Sequence, residues 1–190
     1  MAQPLATLRR ALAAALLADL AEAGTIALRA DEVVLLNTTP RGDPLLDEAL
    51  GLLRATPPPR RPRDLVARWS GIPDLQQRVY GGLVDRGIVA RRARRLLGVL
   101  HTERYPVLDQ AARDAVRRQV HAALAGVHEP EPRLRSLIGL LFVCGLEAAI
   151  LVPAEGKTRH ARAQAITLRD PVSDAVHPYL PIGPPPNRLF

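Results

Sequence analysis

Four arginines fall within five positions, Arg91, Arg92, Arg94 and Arg95, and the apolar residues Leu96, Leu97, Val99 and Leu100 follow at once. A guanidinium keeps its charge at any physiological pH and points paired donors at phosphate or carboxylate oxygens. Arginines followed by leucines suit an anionic bilayer, with charge at the head groups and apolar side chains in the interface. The surrounding charge supports this reading. The chain carries a net charge of +7, and residues 56–104 alone, with eleven arginines against four acids, account for a surplus of that size. Such a concentration calls for an acidic partner: a membrane surface, a nucleic acid or an acidic protein.

Other chemistries find no support in the sequence. His101, His121, His128, His160 and His177 never approach a metal-ligand spacing, and the 13 glycines are scattered rather than gathered in a phosphate loop. Cys144 is the single cysteine, which excludes an intrachain disulfide and fits a reducing compartment. It lies in an apolar run, where a buried thiol is expected rather than a nucleophile. Asp43, Asp47 and Glu48 cluster, but helix capping and surface roles account for them. We therefore expect no catalytic residues, no metal and no cofactor. Asp19 and Glu22 interrupt the first apolar run, so no signal peptide is expected.

The elements that must position the arginines follow from periodicity. Leu8, Leu12, Leu16 and Leu20 predict a helix over residues 5–23, stopped at Gly24. Alternation predicts a β-hairpin over 25–37. Gly42, Asp43 and Pro44 form a turn, cap and first helical position for a helix reaching about residue 55. Four prolines in 56–62 make a stiff connector. Short helices are predicted over 63–70 and 74–86, then a second hairpin over 88–102 with the arginines at its turn. Asp109 caps a helix with Ala112, Val116, Val120 and Leu124 on one face. Residues 133–152 read as a central buried helix, of which 137–152 is apolar on every face with Glu147 its single charge; this run is too short to span a membrane. A last helix covers 157–168. From Asp170 onward six prolines predict an extended or disordered tail.

The segment Pro40-Arg41-Gly42-Asp43-Pro44-Leu45-Leu46-Asp47-Glu48-Ala49-Leu50 closely resembles the signature of the Golgi phosphoprotein 3-like family, with Arg41 where the family carries Thr. Further anchors are similar and fall in the same order. They are Leu16 to Gly24, Leu83-Val84-Asp85-Arg86-Gly87-Ile88-Val89, Arg104-Tyr105-Pro106-Val107, and Arg133-Leu134 with Leu137-Ile138 and Leu140. The resemblance implies a mainly α fold: a helical bundle core wrapped by amphipathic helices, with one or two short β-hairpins. It also implies phosphatidylinositol 4-phosphate binding, retention of membrane enzymes as clients, and a hairpin that enters the bilayer and aids self-association. Family members carry a further apolar segment ahead of the first helix, so the resemblance implies a shortened N-terminus here. The family's head-group positions fall on Pro4, Ala13, Pro73 and Gln76, none of which matches. Arg9, Arg10 and Arg78 lie nearby and are the candidates to replace them.

Together these readings give a helical domain over 1–168 and a proline-rich tail over 169–190. The expected function is a non-catalytic peripheral protein, an adaptor on the cytoplasmic face of the cell membrane that binds anionic lipid. The candidate lipid contacts are Arg9, Arg10, Arg78, Arg91, Arg92, Arg94 and Arg95, with Leu96, Leu97, Val99 and Leu100 as the membrane-contacting tip. Lys157 is the sole lysine among 26 basic residues, which points to GC-rich coding and an actinobacterial source. The alternatives are a protein-docking scaffold or a winged-helix-like nucleic-acid binder. The second is disfavoured because Asp74 and Asp85 offset Arg78 and Arg86 on the helix that would read bases.

Overall fold

The computed structural model describes residues 3–29, 31–96, 100–146 and 156–176. Among them are eight helices and two antiparallel hairpins, matching the expected class. The order is α1 (Gln3–Glu22), β1 (Ile26–Arg29), β2 (Glu32–Leu35), α2 (Pro44–Arg54), α3 (Pro62–Trp69) and α4 (Leu75–Asp85). It continues with β3 (Arg92–Leu96), β4 (Leu100–Arg104), α5 (Gln110–Leu124), α6 (Pro132–Val143), α7 (Gly156–Thr167) and α8 (Pro171–Asp174).

The leucine repeat of α1 makes it the hub. Ala13, Ala14, Leu16, Leu17 and Leu20 are buried, and α2, α3, α4, α6, α8 and β1 all pack on this helix. Gly24 terminates it at φ +65°, where the Gly24 and Thr25 amides return to the carbonyls of Ala21 and Leu20. The chain then turns into the first hairpin, which lays Ile26 and Val33 into the same core.

The predicted helix over 133–152 is shorter than expected. Helix α6 stops at Val143 because Gly145 takes φ +66°, and the amides of Gly145 and Leu146 close back on Phe142 and Leu141. Residues 147–155 lie outside the described residues. Central placement holds nonetheless. Leu140 joins the main core while Ile138 joins a second cluster with Val120, Ala123, Leu124, Ala163 and Ile166. An element wedged between two cores needs apolar residues on opposite sides, which explains the absence of a polar face.

Two further expectations are corrected. Val116 is exposed, so only the C-terminal half of α5 (Val120, Ala123, Leu124) is buried. Residues 170–176 are not extended. Asp170 caps α8 by accepting from the Ser173 amide at 2.8 Å, and it also accepts from the hydroxyls of Ser136 (2.8 Å) and Ser173. This buried network fixes α8 against α6, where Gly139 leaves no room for a side chain beside Ser173. Val172, Ala175 and Val176 fill the core, so α8 is part of the packed domain. Residues 177–190 lie outside the described residues.

Candidate functional site

The signature segment is built from backbone clamps. Asp43 accepts from the amides of Leu45 and Leu46 at 2.9 and 3.1 Å, satisfying two orphan donors at the start of α2. Asp47 reaches back to the amides of Arg41 and Gly42 at 2.6 and 3.1 Å. Glu48 pairs with Arg78 of α4 at 2.5 Å. Arg41, the residue that departs from the family signature, donates to Thr25 Oγ1 and to the Ala23 carbonyl, both at 2.6 Å. A cation at the end of α1 is favoured by the helix dipole. Asp43 and Asp47 thus hold the turn to the start of α2, and Glu48 ties α2 to α4.

Of the expected head-group arginines, Arg78 is therefore committed to Glu48, and Arg9 donates to the Ile72 carbonyl at 3.4 Å. Arg10 is half-buried and engaged by contacts of its own. The two N-terminal arginines and Arg78 belong to the α1–α4 side of the bundle, whereas the others belong to the second hairpin. Arg86, at the C-terminal end of α4, donates to the Gly82 carbonyl at 2.8 Å, so it too is used within the fold.

The second hairpin is rooted by Val89, which is buried and bridges Val107. The Ala90 amide donates to Pro106 O and the Leu108 amide to Ile88 O, each at 2.9 Å. The register then runs Arg92↔Arg104, Ala93↔Glu103, Arg94↔Thr102, Arg95↔His101 and Leu96↔Leu100. Arginines expected at the turn thus stand on β3 itself, because Val89↔Val107 sets the pairing and leaves 97–99 as the connection. Leu97 and Val99 lie outside the described residues, and for Arg94, Arg95, Leu96 and Leu100 the backbone register alone is described. Among the described residues, the strands pair with each other and neither packs extensively on a helix.

Charge on this hairpin is unevenly compensated. Arg91 donates through Nε to Glu103 Oε1 at 2.9 Å, and its terminal nitrogen forms an ion pair with the same oxygen. Tyr105 donates its hydroxyl to Glu103 Oε2 at 2.5 Å, and its ring stacks on Tyr80 at 4.2 Å between centroids. The Tyr105 hydroxyl and then the Arg91 guanidinium hold the Glu103 carboxyl below its usual range. Hydrogen bonding to Glu103 in turn raises the Tyr105 phenol. Arg92 and Arg104 are exposed and have no ion-pair partner among the described residues. Both line an open depression of about 580 Å³ together with Ala93, Tyr105 and Pro106. Sequence reasoning overlooked Arg104, Tyr80 and Tyr105. Arg104 was visible as part of Arg-Tyr-Pro, but its place opposite Arg92 needs the register.

Cys144 is half-buried at the end of α6, and burial pushes its thiol up to about 11, so it is protonated at neutral pH. No group of metal-binding side chains occurs among the described residues. None of their helices is long and apolar enough to cross a membrane.

The fold and this surface define a compact helical domain with an arginine-bearing hairpin set on its outside. The family model described as Golgi phosphoprotein 3 (GPP34) matches residues 2–180, and the chain belongs to that family. The match takes in α8, in agreement with its buried position. No curated protein matches the chain.

Proposed function

We propose that this protein is a non-catalytic peripheral membrane protein that binds anionic phospholipid head groups through the β3–β4 surface. The observation that carries the reading is an arginine-bearing hairpin with Glu103 as the one acid between positions 91 and 104, whose strands, among the described residues, do not pack extensively on a helix. A two-stranded hairpin is marginal by itself in water, so one without packing gains its use from something outside the chain. Arg91, Arg92, Arg94 and Arg95 supply attraction to the leaflet, and the tip residues Leu96, Leu97, Val99 and Leu100 supply apolar area. Family membership supports lipid association. Phosphatidylinositol 4-phosphate is the family's expected ligand, and Arg9, Arg10 and Arg78 contribute electrostatically from the bundle side. On this reading the protein works at the cytoplasmic face of the cell membrane, can self-associate through the hairpin, and holds membrane enzymes as clients. The test is cosedimentation with vesicles of neutral and anionic lipid. Binding to anionic vesicles that weakens as salt rises supports the reading; equal recovery with neutral vesicles overturns it.

A further inference from the structure

We infer that Arg92 and Arg104 form a two-pronged clamp for a phosphate monoester, the group that a phosphomonoester lipid presents at its head. The inference rests on the membrane reading above and deepens it by naming the atoms that touch the head group. Antiparallel partners stand about 5 Å apart at Cα and project from the same face, and the register makes Arg92 and Arg104 such partners. Like charges placed directly opposite each other across a ladder are destabilising. The neighbouring acid does not relieve them, because Glu103 is held by Arg91 and Tyr105. Two guanidinium groups that line one depression and have no ion-pair partner among the described residues match a dianionic tetrahedral phosphate in charge, and each can offer it paired donors. A phosphodiester carries half that charge and offers fewer free oxygens. The clamp is distinct from the positions at which the family's head-group residues would fall, Pro4, Ala13, Pro73 and Gln76. Its neighbour Arg91 is already neutralised and serves instead to keep Glu103 away from the pair.

The experiment compares phosphatidic acid vesicles with phosphatidylglycerol vesicles matched in surface potential, using the full chain. The wild type should prefer the monoester by about tenfold, or 1.4 kcal/mol. Arg92→Gln and Arg104→Gln, singly and together, should erase the preference while melting as the wild type does. Arg54→Gln with Arg118→Gln, which removes the same charge from exposed sites elsewhere, should weaken both vesicles equally and keep the preference. Equal wild-type binding at matched potential overturns the clamp and leaves the membrane reading standing. Failure to bind either vesicle overturns the membrane reading, and the clamp is then judged by soluble glycerol 3-phosphate. Shifts of the Arg92 and Arg104 Nε–H resonances on adding that compound support a clamp for free phosphate esters. Unshifted resonances overturn it.

Discussion

The two hairpins share a topology and little else. Both are two-stranded and antiparallel, with four-residue strands in β1–β2 and five-residue strands in β3–β4. The first places Ile26 and Val33 in the core, and the Val33 amide donates to Arg60 O at 2.7 Å, so the proline-rich connector borders its edge. Among the described residues the second is anchored at its root, through the Val89–Val107 bridge and the stacking of Tyr105 on Tyr80. Arginines differ in the same way. In the bundle Arg41 ties down the end of α1, Arg78 joins α4 to α2, and Arg162 donates to the Ala123 carbonyl at 2.7 Å. On the second hairpin, Arg92 and Arg104 are left to solvent. One hairpin stabilises the domain, and the other is a charged projection supported by it.

The sharpest way to break this contrast is to put one charge into each hairpin. Val33→Asp buries an unpaired carboxylate at a site with 0% exposure. The penalty of several kcal/mol is comparable with a domain's whole stability of about 5–15 kcal/mol. The variant should lose its cooperative melting transition, as followed by circular dichroism. Arg92→Asp on the second hairpin should melt within about 0.5 kcal/mol of the wild type. If both variants melt normally, the first hairpin is not part of the core.

A smaller effect is expected on binding when Arg91, Arg92, Arg94 and Arg95 are all replaced by Ser. Each uncompensated arginine near an anionic leaflet contributes roughly a fivefold factor. Replacing Arg91 also leaves Glu103 unpaired, so the hairpin loses four units of positive charge in all, and partition should fall by up to about 600-fold. Vesicle affinity that survives the change would move the membrane contact to Arg9, Arg10 and the bundle. Replacing Arg41, Arg162 and Arg133, which lie in the bundle, should instead lower the melting temperature.

Why one hairpin and not the other could be read in detail follows from what each depends on. The β1–β2 hairpin was legible because Ile26, Leu28 and Val33 alternate against a core that every leucine in α1 announces. The caps at Asp43 and Asp109 were legible too, since capping is decided within three residues. The helix over 133–152 was over-extended because apolar composition does not reveal a left-handed glycine at 145. The burial of α8 was missed because six prolines outweighed Val172, Ala175 and Val176 in a local reading; its docking depends on Ser136 and Gly139, more than 30 positions away. At the candidate site, the basic run was visible in composition. Its division into a compensated Arg91 and an uncompensated Arg92–Arg104 pair depends on register, which is fixed by the remote Val89↔Val107 bridge.

The smallest expected effect tests that division through pH. Glu103 has a folded pKa below its ordinary value of 4.5, first because Tyr105 donates to it and next because Arg91 does. A carboxyl depressed on folding contributes stability above its unfolded pKa, and the contribution is lost as pH falls through the folded value. Protonating Glu103 also leaves Arg91 without its counter-charge, so the hairpin becomes more basic by one unit. Glu103→Gln imitates that state at neutral pH. The variant should therefore bind anionic vesicles more tightly than the wild type at pH 7, by up to about fivefold. The gap should close as pH falls below 4.5, because the wild type then loses the same charge; comparing the two proteins at each pH cancels titration of the lipid and of other carboxylates. Tyr105 provides an independent readout. Its phenol is raised above 10 chiefly by hydrogen bonding to Glu103, and in Glu103→Gln its alkaline absorbance transition should move back down. A variant that shifts the tyrosine transition without changing vesicle binding would show that Arg91 stands away from the membrane, leaving Arg92 and Arg104 as the nearer pair.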